Sequence, residues 1–176
     1  MIKESLPGTW QLLASRSSLD FVESFEKEVL SFKSEERVDN VDFADFFPMF
    51  LRHRGASQDL VEFSYWEFIS RWVSRADLGP IVATQLRVNP TAQFIELSEA
   101  SGLLDRTPGI YAVWRDRRGQ PRELQLSLLQ ARALDLFSEG QTPEVIEAQP
   151  ELTPIMEELK KMDLILDPKL SQGGEP

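Results

Sequence analysis

The apolar period of this chain changes near residue 86, and that change constrains the fold more than any other feature. Upstream, apolar residues recur every three or four positions; downstream, they alternate. Leu19, Val22, Phe25 and Val29, with Phe21 and Phe32 beside them, follow the N-cap residue types Ser17 and Ser18 and predict an amphipathic helix with an acidic outer face. Asp42 to Arg54 predicts a second helix, with Phe43, Phe46, Phe47, Phe50 and Leu51 crowded on one side. Pro48 must sit in its first turn or break it, and Gly55 ends it. Asp59 to Val73 predicts a third, whose Leu60, Phe63, Trp66, Phe68, Ile69, Trp72 and Val73 surround so much of the axis that it must be buried on most sides.

Past the change, Thr91 to Leu97 has strand character, and Gly109 to Asp116 alternates Ile110, Ala112 and Trp114 with Tyr111, Val113 and Arg115. Ser98 to Pro108 reads as a connecting loop, Arg117 to Arg122 as a turn, and Glu123 to Leu128 as a third strand. Helical spacing returns over Leu129 to Glu139, ending at Gly140. Thr142-Pro143 announces a helix over Glu144 to Ala148, and Thr153-Pro154 another through Met162, before a short strand over Asp163 to Leu166. The expected fold class is α+β: a helical domain over 1–80, a small winged-helix-like domain with an antiparallel β-hairpin over 81–166, and a flexible tail over 167–176.

The chain has 176 residues, 41% of them hydrophobic, enough for a real core. No run approaches the length of a membrane span and Met1 to Trp10 lacks a signal-peptide pattern, so a cytoplasmic location is expected. The absence of cysteine removes disulfides, thiolate metal sites and cysteine nucleophiles. Net charge is −10, carried as −5 by residues 1–80 and −4 by residues 81–166. A chain acidic in both halves repels phosphates at long range, which disfavours nucleic acid as a partner.

Residue types with chemistry are sparse. The one histidine, His53, lies between Arg52 and Arg54, a setting that disfavours a bound cation. Glu23, Glu26, Asp39, Asp42 and Asp45 supply oxygen ligands by number but follow no calcium-loop pattern, and a solvated acidic face accounts for them. Serines occur without a nucleophile-elbow pattern, and no glycine-rich loop forms a phosphate cradle. Neither catalytic residues, nor a metal site, nor a cofactor is expected. Arg115, Arg117, Arg118 and Arg122 form the one basic cluster, suited to DNA phosphates, to an acidic protein surface, or simply to solvent at a turn. An extended peptide could add to the small sheet at Ile110 to Asp116 or at Phe94 to Leu97. Trp114 would anchor it if it faces outward and is core if it faces inward.

Several ordered segments carry a resemblance. Asp45-Phe-Phe-Pro-Met-Phe-Leu51, Asp59-Leu-Val-Glu-Phe63, Leu86-Arg-Val-Asn-Pro-Thr-Ala-Gln-Phe-Ile-Glu-Leu97, Tyr111-Ala-Val-Trp-Arg-Asp116 and Leu136-Phe-Ser-Glu-Gly-Gln-Thr142 follow one another as they do in a known group. The chain resembles, over about residues 42–166, small two-domain proteins first labelled as DNA-binding and associated with multinuclear non-haem iron oxidative enzymes. The methanobactin-pathway partner subunit belongs to that broad group. Asn89 stands where a histidine is usual, and Ser64-Tyr65 where Glu-Trp commonly follows. The resemblance implies a helical domain joined to a winged-helix-like module of the kind that captures leader peptides of ribosomally made, modified peptides, with the catalytic metals held by the partner enzyme. The functional expectation is therefore a non-catalytic partner subunit that binds such an enzyme and its precursor peptide through Phe94, Trp114, Arg115, Arg117 and Arg118. The alternatives are a DNA-binding regulator with the arginine cluster as its wing, and a carboxylate-metal hydrolase.

Overall fold

The computed structural model describes residues 1–36, 43–75, 86–98, 102–138, 145 and 148–168. The fold is α+β, with small antiparallel sheets and a β-hairpin. Two compact units are present: Met1–Ile69 with Leu97–Pro108, and Ser70–Glu96 with the chain from Gly109 onward.

The first unit is helical, built from α1 (Ile2–Ser5), α2 (Pro7–Ser15), α3 (Asp20–Glu36), α4 (Phe47–His53) and most of α5 (Gln58–Val73). Val22, Phe25 and Val29 of α3 meet Phe47 and Leu51 of α4 and Leu60 and Val61 of α5 in one core, joined by Ile2, Leu6 and Leu13. The aromatic run is mostly packing: the Phe25 ring lies edge-on to Phe47 and Phe50 at 5.0 and 5.2 Å between centroids. Pro48 does both of the things expected of it. A 3-10 turn over Phe43–Phe46 ends before it, and it occupies the first turn of α4, where its missing N–H costs nothing. Gly55, at φ +74, closes α4 as expected, with Ala56 N–H donating to the Leu51 carbonyl at 3.0 Å. Ser17 differs from expectation. It takes a left-handed conformation at φ 56 to end α2, with Ser18 N–H on the Leu13 carbonyl at 2.9 Å, rather than capping α3.

The helix α5 is buried around much of its circumference, and two of its carboxylates are tied down. Glu67 accepts from the N–H groups of Gly8 and Thr9, both at 2.7 Å, and from the Thr9 hydroxyl at 2.6 Å, so a carboxylate from α5 caps α2, whose own N-cap residue, Leu6, has no side-chain acceptor. Glu62, 3% exposed, accepts from the Gln58 amide at 2.7 Å and from Ser98 N–H at 3.1 Å. The Arg106 guanidinium lies 4.1 Å from the Trp66 ring centroid, holding the connection after Ser98 against the same helix.

The second unit contains β1 (Arg87–Val88), β2 (Gln93–Leu97, to Glu96), β3 (Gly109–Arg115), β4 (Pro121–Gln125), α6 (Leu128–Ser138), α7 (Thr153–Lys161) and β5 (Ile165–Leu166). β1 pairs antiparallel with β5, and the larger sheet has the order β2-β3-β4. The hairpin register sets Ala112 opposite Leu124 and Trp114 opposite Arg122. Ala112 and Trp114 pack with Leu134 of α6, Met156 and Leu159 of α7, and Ile165, while Tyr111 and Val113 on the opposite face are also buried. The turn closes with Asp116 N–H on the Gln120 carbonyl and Gly119 at φ +76.

The third strand ends three residues earlier than expected. Ser127 and Gln130 form a reciprocal capping box, the Ser127 N–H on the Gln130 side chain at 2.8 Å and the Gln130 N–H on the Ser127 hydroxyl at 3.2 Å, so the helix begins at Leu128. The helix expected over Glu144 to Ala148 lies, apart from Val145 and Ala148, outside the described residues, as do Gly140 and the tail beyond Pro168. Among the described residues, no helix is long and apolar enough to cross a membrane.

Candidate functional site

The hairpin turn gathers the arginines named from the sequence, and it uses most of them internally. Arg117 lies with its Nε 3.1 Å from Asp163 Oδ1, its own N–H on Asp163 Oδ2 at 3.1 Å, and its Nη2 on the Asp167 carbonyl at 2.8 Å. Arg115 donates through Nη1 to the Arg75 carbonyl at 2.9 Å and through Nε to the Gly119 carbonyl at 3.3 Å. Arg122 Nε donates to Asp116 Oδ2 at 2.9 Å. Arg118 is exposed, and among the described residues only its backbone N–H is bonded, to Asp116 Oδ1. Burial pushes the Asp116 carboxyl up, but the Gln120 N–H, the Arg122 side chain and the Arg118 N–H together outweigh it and hold the group below its ordinary value.

Behind this turn sits a polar hub that sequence reasoning passed over as a simple departure from a family pattern. Asn89, 2% exposed, donates to the carbonyls of Arg115 and Asp163, both at 2.8 Å, and accepts from the N–H and hydroxyl of Thr91 at 2.9 and 2.7 Å. The Thr91 hydroxyl oxygen in turn accepts from Arg115 N–H at 2.9 Å. All four hydrogen-bonding positions of the amide are used. The two carbonyls it donates to lie 26 and 74 residues away along the chain, which is why no local pattern announces them.

Two expectations about the peptide edge are corrected. Trp114 faces inward at 2% exposure with Nε1 donating to the Met162 carbonyl at 2.9 Å, so it is core and offers nothing to a ligand. Ile110 to Asp116 is not an edge either: β3 is the central strand, flanked by β2 and β4, so its backbone is already paired on both sides. The Phe94 to Leu97 segment stands differently. β2 ends the sheet order among the described residues, Ile95 and Leu97 are buried, and Phe94, 44% exposed, and Glu96 point to solvent.

Elsewhere there is little chemistry. Among the described residues, no three His, Asp or Glu side chains come together in a way that would hold a metal ion. Of the acidic residues named from the sequence, Glu26 meets the chain's amino terminus at 3.2 Å, and Asp39 and Asp42 lie outside the described residues. His53 is exposed at the end of α4. A cavity of about 240 Å³ beside β4 is lined by Ser70, Ser74, Val113, Pro121, Arg122 and Glu123, with the Ser74 hydroxyl donated to the Ser70 carbonyl at 2.7 Å. Its side chains form no nucleophile–base pair. No family model and no curated protein matches the chain.

Proposed function

We propose that this protein is a non-catalytic adaptor that takes an extended segment of another chain along β2. The observation that carries the reading is Phe94: a large apolar side chain left exposed on the strand that ends the sheet order among the described residues, where the sheet's other aromatics, Tyr111 and Trp114, are both buried. An edge strand supplies backbone donors and acceptors for an incoming strand, and an exposed aromatic beside it supplies an apolar anchor. The resemblance described above names the partner class: a multinuclear non-haem iron oxidative enzyme in the cytoplasm, with its ribosomal precursor peptide as the segment. In that reading the hairpin, α6 and α7 act as the winged-helix-like module.

A DNA-binding role gains no support from the turn. Arg115, Arg117 and Arg122 are bonded to carbonyls and carboxylates of this chain, which leaves Arg118 to meet a phosphate against a net charge of −10. The test is affinity purification of the tagged protein from its native cells, with mass spectrometry of the chains that come with it and iron analysis of the complex. An iron-containing enzyme or a short precursor peptide in stoichiometric amount supports the reading. Recovery of the protein alone and metal-free overturns it.

A further inference from the structure

We infer, building on the strand-addition reading, that β2 selects an extended segment carrying an apolar side chain and a Lys or Arg two residues apart. Phe94 and Glu96 share one face of β2, because side chains two apart on a strand point the same way, about 6.7 Å from one another. Both are exposed, while Ile95 and Leu97 between and beyond them are buried on the other face. A strand laid against β2 therefore meets an aromatic and a carboxylate at alternate positions on its accessible side.

Glu96 differs from two other carboxylates of the unit, Asp116 and Asp163. Asp116 and Asp163 are occupied by Arg122 and Arg117, whereas Glu96 makes no ion pair among the described residues. A cation brought by a ligand would be its counterpart. The net charge of −10 works in the same direction, steering a basic segment toward the protein and opposing a second copy of this chain as the occupant.

Short fluorescent peptides test this with the full-length protein. One alternates Thr with Leu and Lys in the order Thr-Leu-Thr-Lys-Thr; a second replaces Lys with Glu; a third keeps the first composition but sets Leu and Lys side by side. The first is expected to bind about threefold more tightly than either of the others at low salt, the scale of one cross-strand charge pair. Glu96→Lys reverses the order of the first two, and Phe94→Ser weakens both while leaving circular dichroism unchanged. If the peptides bind and protect β2 amides from exchange but Glu96→Lys leaves their order intact, the selectivity inference is overturned and the edge survives as a receptor. If no peptide binds the wild-type protein, the edge itself is not a receptor, and both readings fall.

Discussion

Replacing Asn89 by Asp changes one atom type in the buried hub and turns two hydrogen bonds into contacts between acceptors. The amide donates to the Arg115 and Asp163 carbonyls at 2.8 Å each; a carboxylate there would set an anionic oxygen against both. Two lost hydrogen bonds at about 1 kcal/mol each, plus the cost of two carbonyls left without a donor, give a destabilisation of roughly 3–5 kcal/mol at neutral pH. The loss should depend on pH. The carbonyls favour the protonated form of the introduced carboxyl, so its folded-state value rises above the unfolded value of about 3.9. Between those two values the folded state binds more protons, so stability falls as pH rises and the deficit is smallest at and below about pH 4. Asn89→Ala removes all four bonds, should cost about 4 kcal/mol, and should show no such pH dependence of its own. Urea unfolding followed by far-ultraviolet circular dichroism across this range, each variant taken as a difference from wild type, measures both. A deficit for Asn89→Asp below about 0.5 kcal/mol at neutral pH, or one that does not shrink on acidification, would refute the account of the hub.

Trp114→Leu should cost about 3 kcal/mol through lost core volume and the orphaned Met162 carbonyl, whereas Phe94→Ser should stay within about 0.5 kcal/mol; thermal unfolding of the two variants separates core from surface. Glu67→Gln weakens the cap on α2, and faster amide exchange at Gly8 and Thr9 with a loss of about 1–2 kcal/mol is expected; unchanged exchange would remove Glu67 from that role. Because the folded Asp116 carboxyl lies below its ordinary value of 3.8, its stabilising contribution is present above that value and is lost as pH falls through the folded one. Asp116→Asn should therefore flatten the acid limb of the unfolding midpoint, and coincident limbs would contradict it.

What was readable in the sequence was what local spacing controls. The periodicity of α3 and α5, the Gly55 stop, the Pro48 first turn and the hairpin all follow from neighbours within a few residues. The Ser127-x-x-Gln130 capping signal is equally local and sets the start of α6 at Leu128, which rules out a strand running on to that residue. Sheet order was not readable, because nothing in an alternating segment says which strand stands between two others. Nor did alternation orient Trp114: Tyr111 and Val113 are buried as well, so β3 has no solvent face to contrast with its core face. The arginine cluster looked like a surface device because its acceptors, Asp163 and the Asp167 carbonyl, are 46 and 50 residues downstream.

Asp163 ends α7 in a left-handed conformation, φ 59, while its carboxylate holds Arg117. These two demands narrow what the position tolerates. Glycine suits the backbone but abandons the arginine; glutamate keeps the charge but not the ease with which a short polar side chain enters that conformation. Asparagine meets the backbone requirement and half of the polar one. A randomised library at this single codon, selected only for folded protein, should return aspartate first and asparagine second, a hierarchy imposed by geometry without any ligand being present.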